Sequence, residues 1–591
     1  MRHPFGPERE VGSRYRPMNA HPLLQKLIPI LYEDEHLIAI DKPAGVDLGG
    51  LPNDQGTSLV ELVKTLRGRN ETLHPANRLS RFESGVLLLG KNPGAAARIR
   101  TMLKSFRLEQ EYVAVVSGQM NKPMLMLDSR RDSREKKVAK GKRPSRNPRM
   151  AKRAAPSASP ALRTVLRRLE QGEHRTMIRC ETTAPTTHAL RAQLRSVGLR
   201  LMGDRVHDRA PRLMAHEDTC LHLSRVRLST GGQKDSMTIR APAPGGFAVA
   251  LRGERDVQRL LHAALVRRLP CLLEPETDSY RLLTGPSEGL SGLIAEKYGP
   301  VVVLQVLEAS PRWTEALPHV ARWYRELLRV QAVYVKRFVK DRTQVKDDLQ
   351  EALRSPKPLL GEPAPSQIET LERGLRFAIR PYDGFSVGLF LDQRDNRGRI
   401  REMSRGKDVL NLFAYTCGFS VAAAAGGAKS TISVDVSPKH LEWGRTNFAL
   451  NGIELANHQF IGDDATAYLK RAKRQGKEFD IIVLDPPSFA HGRKSKNDFS
   501  ILEDLSGLVR SAGEVLRSGG VMMVSTNHRK LSRRGLLDRV RQGCGSRRCE
   551  VLDTPPLPPD FAADPDHAKS VFVRSGGART GRANETADVP T

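Results

Sequence analysis

The sequence predicts a multidomain protein of mixed α/β and α+β class, with a Rossmann-like, doubly wound sheet in its C-terminal part. From residue 377 onward, apolar runs of strand length alternate with helical patterns, which is typical of a parallel sheet covered by helices. Upstream, a buried-strand run over 301–307 and a helical pattern over 313–328 predict a small central α/β domain. Short strand runs at 86–89 and 176–180 predict a mixed-sheet domain in the first half.

Changes in composition set the predicted boundaries. The mixed-sheet domain covers 23–255, the small central domain 268–365 and the C-terminal domain 370–575. The polar ends, 1–22 and 576–591, are expected to be disordered. A helical stretch over 252–268 is expected to link the first two domains, and a Pro-rich stretch over 356–365 to link the last two.

A basic insertion over 128–160 interrupts the first domain. It contains many Lys and Arg residues, among them Lys136, Lys137 and Lys140, in a stretch that also carries Pro and Ser. Such a run is either a solvated linker or a loop that contacts RNA and becomes ordered on binding. The two interpretations are compatible, and both stay open.

The global charge indicates a polyanionic partner. The 591 residues include 96 Lys plus Arg against 66 Asp plus Glu, a formal net charge of +30 with a pI near 10.2. A surplus of this size favours nucleic-acid binding through phosphate contacts over a merely basic surface. The sequence contains no long uncharged apolar run and no secretory signal, so no membrane partner is expected. Six scattered cysteines form no zinc-ligand pattern, and we expect no metal and a reduced, cytoplasmic protein.

A glycine turn in the C-terminal domain has the pattern of a nucleotide-type cofactor site. A short apolar strand from residue 408 leads into a turn at Gly418, an Ala-rich helix follows, and the next strand ends at Asp435. Gly418 permits close approach of the backbone to a ligand, and a carboxylate at position 435 can accept hydrogen bonds from ribose hydroxyls. The pattern alone fits nicotinamide, flavin and S-adenosylmethionine (SAM) equally well.

A second motif decides between these cofactors. A buried strand delivers Asp485, Pro486 and Pro487 at its carboxyl end, and Phe489 follows. The two prolines fix the backbone, so that Asp485 and the carbonyl of Pro486 can hold the edge of a base, while Phe489 offers a face for stacking. Methyl transfer from a sulfonium depends mainly on alignment of the reacting atoms, so this arrangement predicts a SAM-dependent enzyme that methylates a nucleobase.

Five separated motifs resemble the RlmI/RlmK-type ribosomal RNA large-subunit methyltransferases. They are the segments 391–397, 411–416, 434–437, 443–452 and 485–489. The resemblance implies S-adenosyl-L-methionine as cofactor and large-subunit ribosomal RNA as substrate. It implies a SAM site that uses Gln393, Arg394, Tyr415, Gly418, Asp435, Asp464 and Asp485, beside the base-side roles predicted above for Asp485, Pro486 and Phe489. Residues 277–281 and 289–293 resemble the domain that precedes the catalytic domain in that family.

The target atom is predicted from a missing cysteine. Methylation of cytosine at C5 normally requires a cysteine that adds to C6. Where members of the family carry that cysteine, this sequence has Thr526 and Asn527, and Cys417 lies in the cofactor loop instead. The segment 524–528 is closer to that of guanine-modifying members. A guanine nitrogen is therefore the expected target, with cytosine C5 as the alternative.

The N-terminal half, residues 27–250, resembles RluA-type pseudouridine synthases. The matching segments include 30–45, Arg78-Leu79, Tyr112 and Arg191. The signature of that family ends in an aspartate that serves as nucleophile or base, whereas this sequence has Ser80. A hydroxyl without an activating base cannot replace a carboxylate. The expected role of this domain is RNA binding, through residues that include Arg78, Tyr112 and Arg191. The alternatives are an active synthase, which would make the enzyme bifunctional, and an RNA-binding assembly factor without catalysis.

Overall fold

The computed structural model divides into two compact units, Met1–Leu269 and Pro270–Thr591. It describes residues 9–10, 22–49, 58–67, 72–105, 108–129, 162–184, 186–204, 219–229, 236–252, 256–307, 311–338, 353–487, 489–490, 499–545 and 549–576. The basic insertion beyond residue 129 and nearly all of the two predicted disordered ends lie outside these ranges. Among the described residues, no helix combines the length and the apolar character that are needed to span a membrane.

The first unit is built around one mixed sheet. Its strands are β1 Arg9–Glu10, β2 Ile30–Glu33, β3 Leu37–Lys42, β4 His74–Pro75, β5 Ser84–Gly90, β6 Leu108–Ser117, β7 Met124–Ser129, β8 Leu162–Gln171, β9 Arg175–Thr182, β10 Arg200–Leu201, β11 Leu221–Ser229 and β12 Ser236–Arg240. The main path runs β2-β3-β5-β11-β6-β9-β8-β7, and β5 and β11 are parallel. Residues of β9 alternate between buried and half-buried, as expected of a strand with one face on the core.

The described part of this unit also contains the helices α1 Pro22–Leu27, α2 Leu59–Arg67, α3 Pro93–Lys104, α4 Thr187–Ser196, α5 Gly246–Leu251 and α6 Val257–Arg267. The helix α6 differs from the expected linker. The Nε2 of His262 in α6 forms a hydrogen bond of 3.2 Å with the carbonyl of Leu27. Ala263 of the same helix packs so closely on Gly45 that a Cβ at Gly45 would press against it. Because α6 buries an apolar face against residues near the start of the unit, it belongs to the first unit.

The second unit begins with a five-stranded sheet. Its strands, in the order in which they pair, are β13 Ser279–Leu283, β14 Leu293–Tyr298, β15 Val301–Val306, β16 Ala332–Arg337 and β17 Leu360–Gly361. The short helix α7 Leu269–Leu272 precedes this sheet, and the helix α8 Pro311–Leu328 connects β15 to the parallel strand β16. A hairpin of β18 Ile368–Glu372 and β19 Leu375–Ile379 follows.

The doubly wound sheet forms the rest of this unit. Its strands are β20 Asp408–Leu412, β21 Ser430–Asp435, β22 His458–Gly462, β23 Phe479–Leu484, β26 Leu516–Thr526, β27 Cys549–Asp553 and β28 Lys569–Ser575, and the two-stranded ribbon of β24 Phe489–Ala490 and β25 Phe499–Ser500 lies apart from it. The order is β22-β21-β20-β23-β26-β28-β27, and the first five strands are parallel. The helices are α9 Arg394–Met403, α10 Gly418–Ala425, α11 Pro438–Leu450, α12 Ala465–Arg474, α13 Ile501–Gly513 and α14 Arg533–Cys544.

Buried polar contacts join the two sheets of this unit. Asp560 accepts a hydrogen bond of 2.8 Å from the backbone N–H of Arg281 in β13 and pairs with the guanidinium of Arg394 at the start of α9. The predicted central and C-terminal domains are therefore parts of one compact unit. Cys544 and Cys549 are joined as a disulfide, which departs from the expectation that all cysteines are free.

Candidate active site

Three of the predicted motifs lie at one edge of the doubly wound sheet. In the register of the parallel strands, Leu412 of β20 stands beside Val434 of β21 on one side and Leu484 of β23 on the other. The residues that follow these three positions therefore leave the sheet at the same carboxyl edge, where open α/β sheets bind ligands. The glycine loop, Asp435 and Asp485 are consequently on the same side of the fold.

Asp435 organises the loop that follows β20. Its Oδ2 accepts a hydrogen bond of 2.9 Å from the backbone N–H of Tyr415, and its Oδ1 accepts one of 2.9 Å from that of Ser437. Tyr415 has a φ of 47°, and Phe413 and Cys417 share this left-handed conformation. Side chains rarely adopt it, and it persists where surrounding contacts enforce it. The loop is thus held in a single strained shape.

The motif at 443–452 supplies further contacts that hold this loop. Asn447 donates 2.9 Å to the carbonyl of Thr416 and accepts 2.8 Å from the N–H of Ala378. A Cβ at Gly444 would collide with the Sγ of Cys417, so glycine is required there for α11 to pack on the loop. The described residues of this motif therefore support the loop after β20.

An aromatic and apolar patch borders the loop. The ring of Tyr415 lies 5.3 Å from that of Phe390 and 4.6 Å from that of His440, measured between centroids. Phe390 is 48% exposed and Val436, next to Asp435, is 57% exposed. Burial raises the pKa of Tyr415 to about 12, so its phenol is neutral. The sequence alone did not identify Phe390, Val436 or His440 as members of the site. For Val436 a signal was present, because it is an apolar residue directly after an aspartate that ends a strand.

Gly418, which was expected to permit close approach of the backbone to a ligand, packs against a buried arginine side chain. A Cβ at this position would stand 3.3 Å from the Cδ of Arg397, which itself donates to Glu372 at 2.7 and 2.6 Å. The glycine therefore makes room for a buried arginine beside the loop. Its place as the first residue of α10 agrees with the predicted turn into a helix.

Asp485, half-buried at the end of β23, heads a chain of polar groups that are themselves buried. It forms a hydrogen bond with Ser525, whose Oγ accepts 2.7 Å from the Nε2 of Gln393. Asn396 donates 2.7 Å to the Oε1 of Gln393. Burial and the negative charge of Asp392 raise the pKa of Asp485 to about 7, against the opposing effects of Ser525 and Arg397. A carboxyl group with such a pKa can exchange a proton near neutrality.

The remaining predicted cofactor and base residues are placed as follows. Arg394 is buried and its charge is paired with Asp560, so its guanidinium is committed within the protein. Asp464 is exposed and caps α12, accepting 2.9 Å from the N–H of Ala467. Pro486 is buried at the strand end. Phe489 begins the short strand β24, where it pairs with Ser500, and its side chain lies outside what the structure describes.

In the first unit, some of the residues predicted to contact RNA are exposed and others are buried. Arg78 and Ser80 are exposed. Tyr112 is buried, with its hydroxyl donating 3.0 Å to Gln110, and burial and the charge of Glu83 hold its pKa well above its usual range. Arg191 is buried in ion pairs with Glu83 and Asp204, so neither Tyr112 nor Arg191 is placed to touch RNA directly. Lys136, Lys137 and Lys140 lie outside the described residues.

Comparison with known proteins adds to these observations. The model of the family described as S-adenosylmethionine-dependent methyltransferase matches residues 337–573, and that of RNA pseudouridylate synthase matches residues 36–196. A ribosomal RNA large subunit methyltransferase of Deinococcus radiodurans is 32% identical over 334 residues, which cover 53% of this chain and 78% of that protein. The chain belongs to this family of SAM-dependent methyltransferases.

Other members of the methyltransferase family match a smaller share. Ribosomal RNA large subunit methyltransferase I of Erwinia tasmaniensis is 33% identical over 267 residues, 45% of this chain and 65% of that protein. The enzyme of the same name from Klebsiella pneumoniae strain 342 is 34% identical over 247 residues, 42% of this chain and 59% of that protein. The chain thus spans less than two thirds of these two relatives.

Within the residues that the structure describes, no group of three or more His, Cys, Asp or Glu side chains could hold a metal ion.

Proposed function

We propose that this methyltransferase transfers a methyl group from SAM to a nucleobase of RNA, with large-subunit ribosomal RNA as the substrate class. The convergence of the loop after β20, Asp435 and Asp485 at one sheet edge carries this proposal. The names of the relatives and the net charge of +30 support RNA as the partner. We place the reaction in the cytoplasm, where bacterial ribosomal RNA is found.

The residues at this edge fit SAM. Asp435 retains a carboxylate at the strand end, suited to ribose hydroxyls, although it also holds the N–H groups of Tyr415 and Ser437. The exposed apolar surface of Val436 and Phe390 suits the faces of an adenine ring. Gln393 and Asp464 remain proposed members of the cofactor site, while the buried pairing of Arg394 with Asp560 gives it a positioning role. When bound, SAM supplies an electrophilic methyl group on a sulfonium.

On the base side, Asp485 and Pro486 are proposed to hold the edge of the nucleobase, and Phe489 to stack on it. A guanine nitrogen held there would receive the methyl group that bound SAM supplies. The nitrogen then loses a proton, which passes to the carboxylate of Asp485. A carboxyl pKa of about 7 matches this proton acceptance near neutral pH.

The cysteines support a guanine nitrogen over cytosine C5. Thr526 occupies the position of the family's cysteine and is fully buried. Cys417 is also buried, packs against Gly444, and has its pKa raised to about 12 by burial. Every free cysteine that the structure describes is buried, so none of these thiols is suited to attack a base.

The first unit is proposed to bind the substrate RNA without isomerising uridine. Ser80 stands on the surface where the family's aspartate would stand. The nearest described carboxylate in that segment, Glu83, accepts 2.7 Å from the N–H of Ser80 but is wholly buried. A buried carboxylate engaged by Arg191 cannot reach a sugar carbon, so a synthase reaction is not favoured.

The proposal is tested by substitution of Asp485. Purified Asp485→Ala protein should lose methyl transfer to RNA while it retains binding of RNA, and titration calorimetry should still detect SAM. Mapping of RNA modifications by mass spectrometry in cells with and without the protein identifies the nucleotide. Absence of any change in modified bases, together with absence of SAM binding to the purified protein, would overturn the proposal.

A further inference from the structure

A cavity of about 550 Å³ opens between α9 and α10 of the second unit. Its volume lies within the range of about 300–1,000 Å³ that is typical of small-molecule sites, and is ample for a nucleotide. Arginines dominate its lining: Arg373, Arg394, Arg397, Arg401 and Arg405. Two glutamates are their acidic neighbours in the lining, so the cavity carries an excess of positive charge.

The arginines divide into an inner and an outer set. Arg394 and Arg397 are buried, and Asp560 and Glu372 neutralise them. Arg373, Arg401 and Arg405 form the outer set. The side chain of Arg373 is 42% exposed, and Arg405 is exposed. Arg373 is paired with Asp395, and Glu402 is also exposed in the lining, so Arg401 and Arg405 supply the remaining positive charge at the mouth of the cavity.

The backbone holds Arg373 in a strained position. It has a φ of 48°, although a side chain in that conformation is unfavourable. Its guanidinium donates 2.7 Å to Asp395 and lies where a Cβ of Gly398 would be, and its carbonyl accepts 2.9 Å from Arg401. This conformation belongs to the two-residue turn between β18 and β19, in which Gly374 also has a positive φ, so the hairpin fixes where the side chain of Arg373 begins. Arginine at such a place matches the paired oxygens of a phosphate.

The mouth of the cavity lies away from the reacting centre, whereas its inner arginine Arg397 packs against Gly418 at the loop after β20. The helix α10 starts in the cofactor loop at Gly418, and the cavity is lined by residues from Ala422 to Gly427 near its other end. A helix of eight residues is about 12 Å long. A ligand here would thus stand well beyond the target base. Among polyanions, the one that the active site itself requires is RNA, whose backbone presents phosphates at such distances.

We propose that this arginine cavity binds a phosphodiester segment of the substrate RNA outside the target nucleotide. The inference rests on the proposed function, since it takes RNA as the substrate. The contact is one of charge and shape, so it would position RNA without reading its sequence.

The test compares Arg405→Gln with Arg474→Gln in the full-length protein. Arg474 is a matched control, because it is an exposed arginine at the end of the helix α12, away from the cavity lining. RNA affinity is measured by filter binding with a ribosomal RNA fragment at several salt concentrations. We expect Arg405→Gln to weaken binding several-fold and to reduce the slope of log affinity against log salt by about one. The double variant Arg401→Gln/Arg405→Gln should reduce it by about two.

Equal affinities and slopes for Arg405→Gln and Arg474→Gln would overturn the cavity assignment. Titration calorimetry with SAM and the melting temperature should be unchanged in Arg405→Gln. If the wild-type protein methylates RNA but the cavity variants match the control, only the cavity assignment fails. If the wild-type protein neither binds SAM nor methylates RNA, the proposed function fails as well.

Discussion

Arg191 donates a hydrogen bond of 2.5 Å to the carboxylate of Glu83 in the interior of the synthase-like unit. The side chain of Glu83 is completely buried, and Arg191 also bonds to Asp204 at 3.0 Å. Arg191, which the sequence predicts to contact RNA, is therefore neutralised by carboxylates in the interior of the unit. Because Glu83 and Asp204 already pair with Arg191, this arginine is neutralised without an aspartate at position 80.

Replacement of Arg191 should be costly. Arg191→Met would leave Glu83 and Asp204 as buried carboxylates without their cation, and breaking a buried pair typically costs about 3–5 kcal/mol. Urea unfolding of the first unit, followed by circular dichroism, measures this change. The control is Arg163→Met, whose ion pair with Asp128 is exposed on both sides and should contribute about 0–1 kcal/mol. Equal effects of the two substitutions would contradict the role assigned to Arg191.

The synthase-like unit should not release tritium from RNA labelled at C5 of uridine. Ser80 lacks a carboxylate, and Glu83 is wholly buried and held by Arg191. The assay uses wild-type protein and ribosomal RNA, with Glu83→Gln as the second sample. Release by the wild type that disappears in Glu83→Gln would show that Glu83 acts in place of the missing aspartate, and the enzyme would then be bifunctional.

The meeting of the cofactor loop, Asp435 and Asp485 could be predicted from the sequence for a simple reason. Parallel strands end at the same sheet edge, so residues at three strand ends converge whatever the details of packing. The fate of Arg394 could not be predicted in this way. Its partner Asp560 lies 166 positions further along the chain, and no local pattern marks that pair.

In the first unit, the sequence motifs did not indicate which of their residues are buried. The order of motifs in the sequence identified Tyr112 and Arg191, but a motif does not report which side of a sheet a side chain occupies. The helix α6 shows a similar limit, because its contact with Leu27 joins residues 235 positions apart. Such long-range contacts decide whether a helical pattern becomes a linker or part of a core.

Asp435→Ala should weaken SAM binding strongly. The substitution removes both the proposed partner of the ribose and the acceptor of the N–H groups of Tyr415 and Ser437. Hydrogen bonds to a charged group contribute about 1.5–3 kcal/mol, which corresponds to roughly a 10- to 150-fold rise in Kd. Titration calorimetry measures this, with Asp480→Ala as control, since Asp480 lies at the start of β23 and pairs with Arg517. A similar loss in both variants would indicate general disruption of the sheet.

Asp485→Asn should stabilise the protein at neutral and higher pH. The pKa of Asp485 is raised to about 7 from 3.8, so the folded protein binds more protons than the unfolded chain between these values. Stability attributable to this group therefore falls as pH rises from about 4 to 7, by roughly 4 kcal/mol. Asn carries no charge, so the difference between variant and wild type should grow over that window in urea unfolding. A difference that is constant with pH would show that the carboxyl group is not perturbed.

Ser525→Ala should move the pH dependence of methyl transfer. If Asp485 accepts the proton, the rate rises with pH to a midpoint near the carboxyl pKa of about 7. The Oγ of Ser525 accepts from Gln393 at 2.7 Å, which leaves its own proton to donate to Asp485, and this bond lowers that pKa. Its removal should shift the midpoint to higher pH, measured as incorporation of labelled methyl groups into RNA at saturating SAM. Thr526→Val, one position further along the same strand, should leave the midpoint in place. A midpoint that Ser525→Ala does not move would mean that a group other than Asp485 takes the proton.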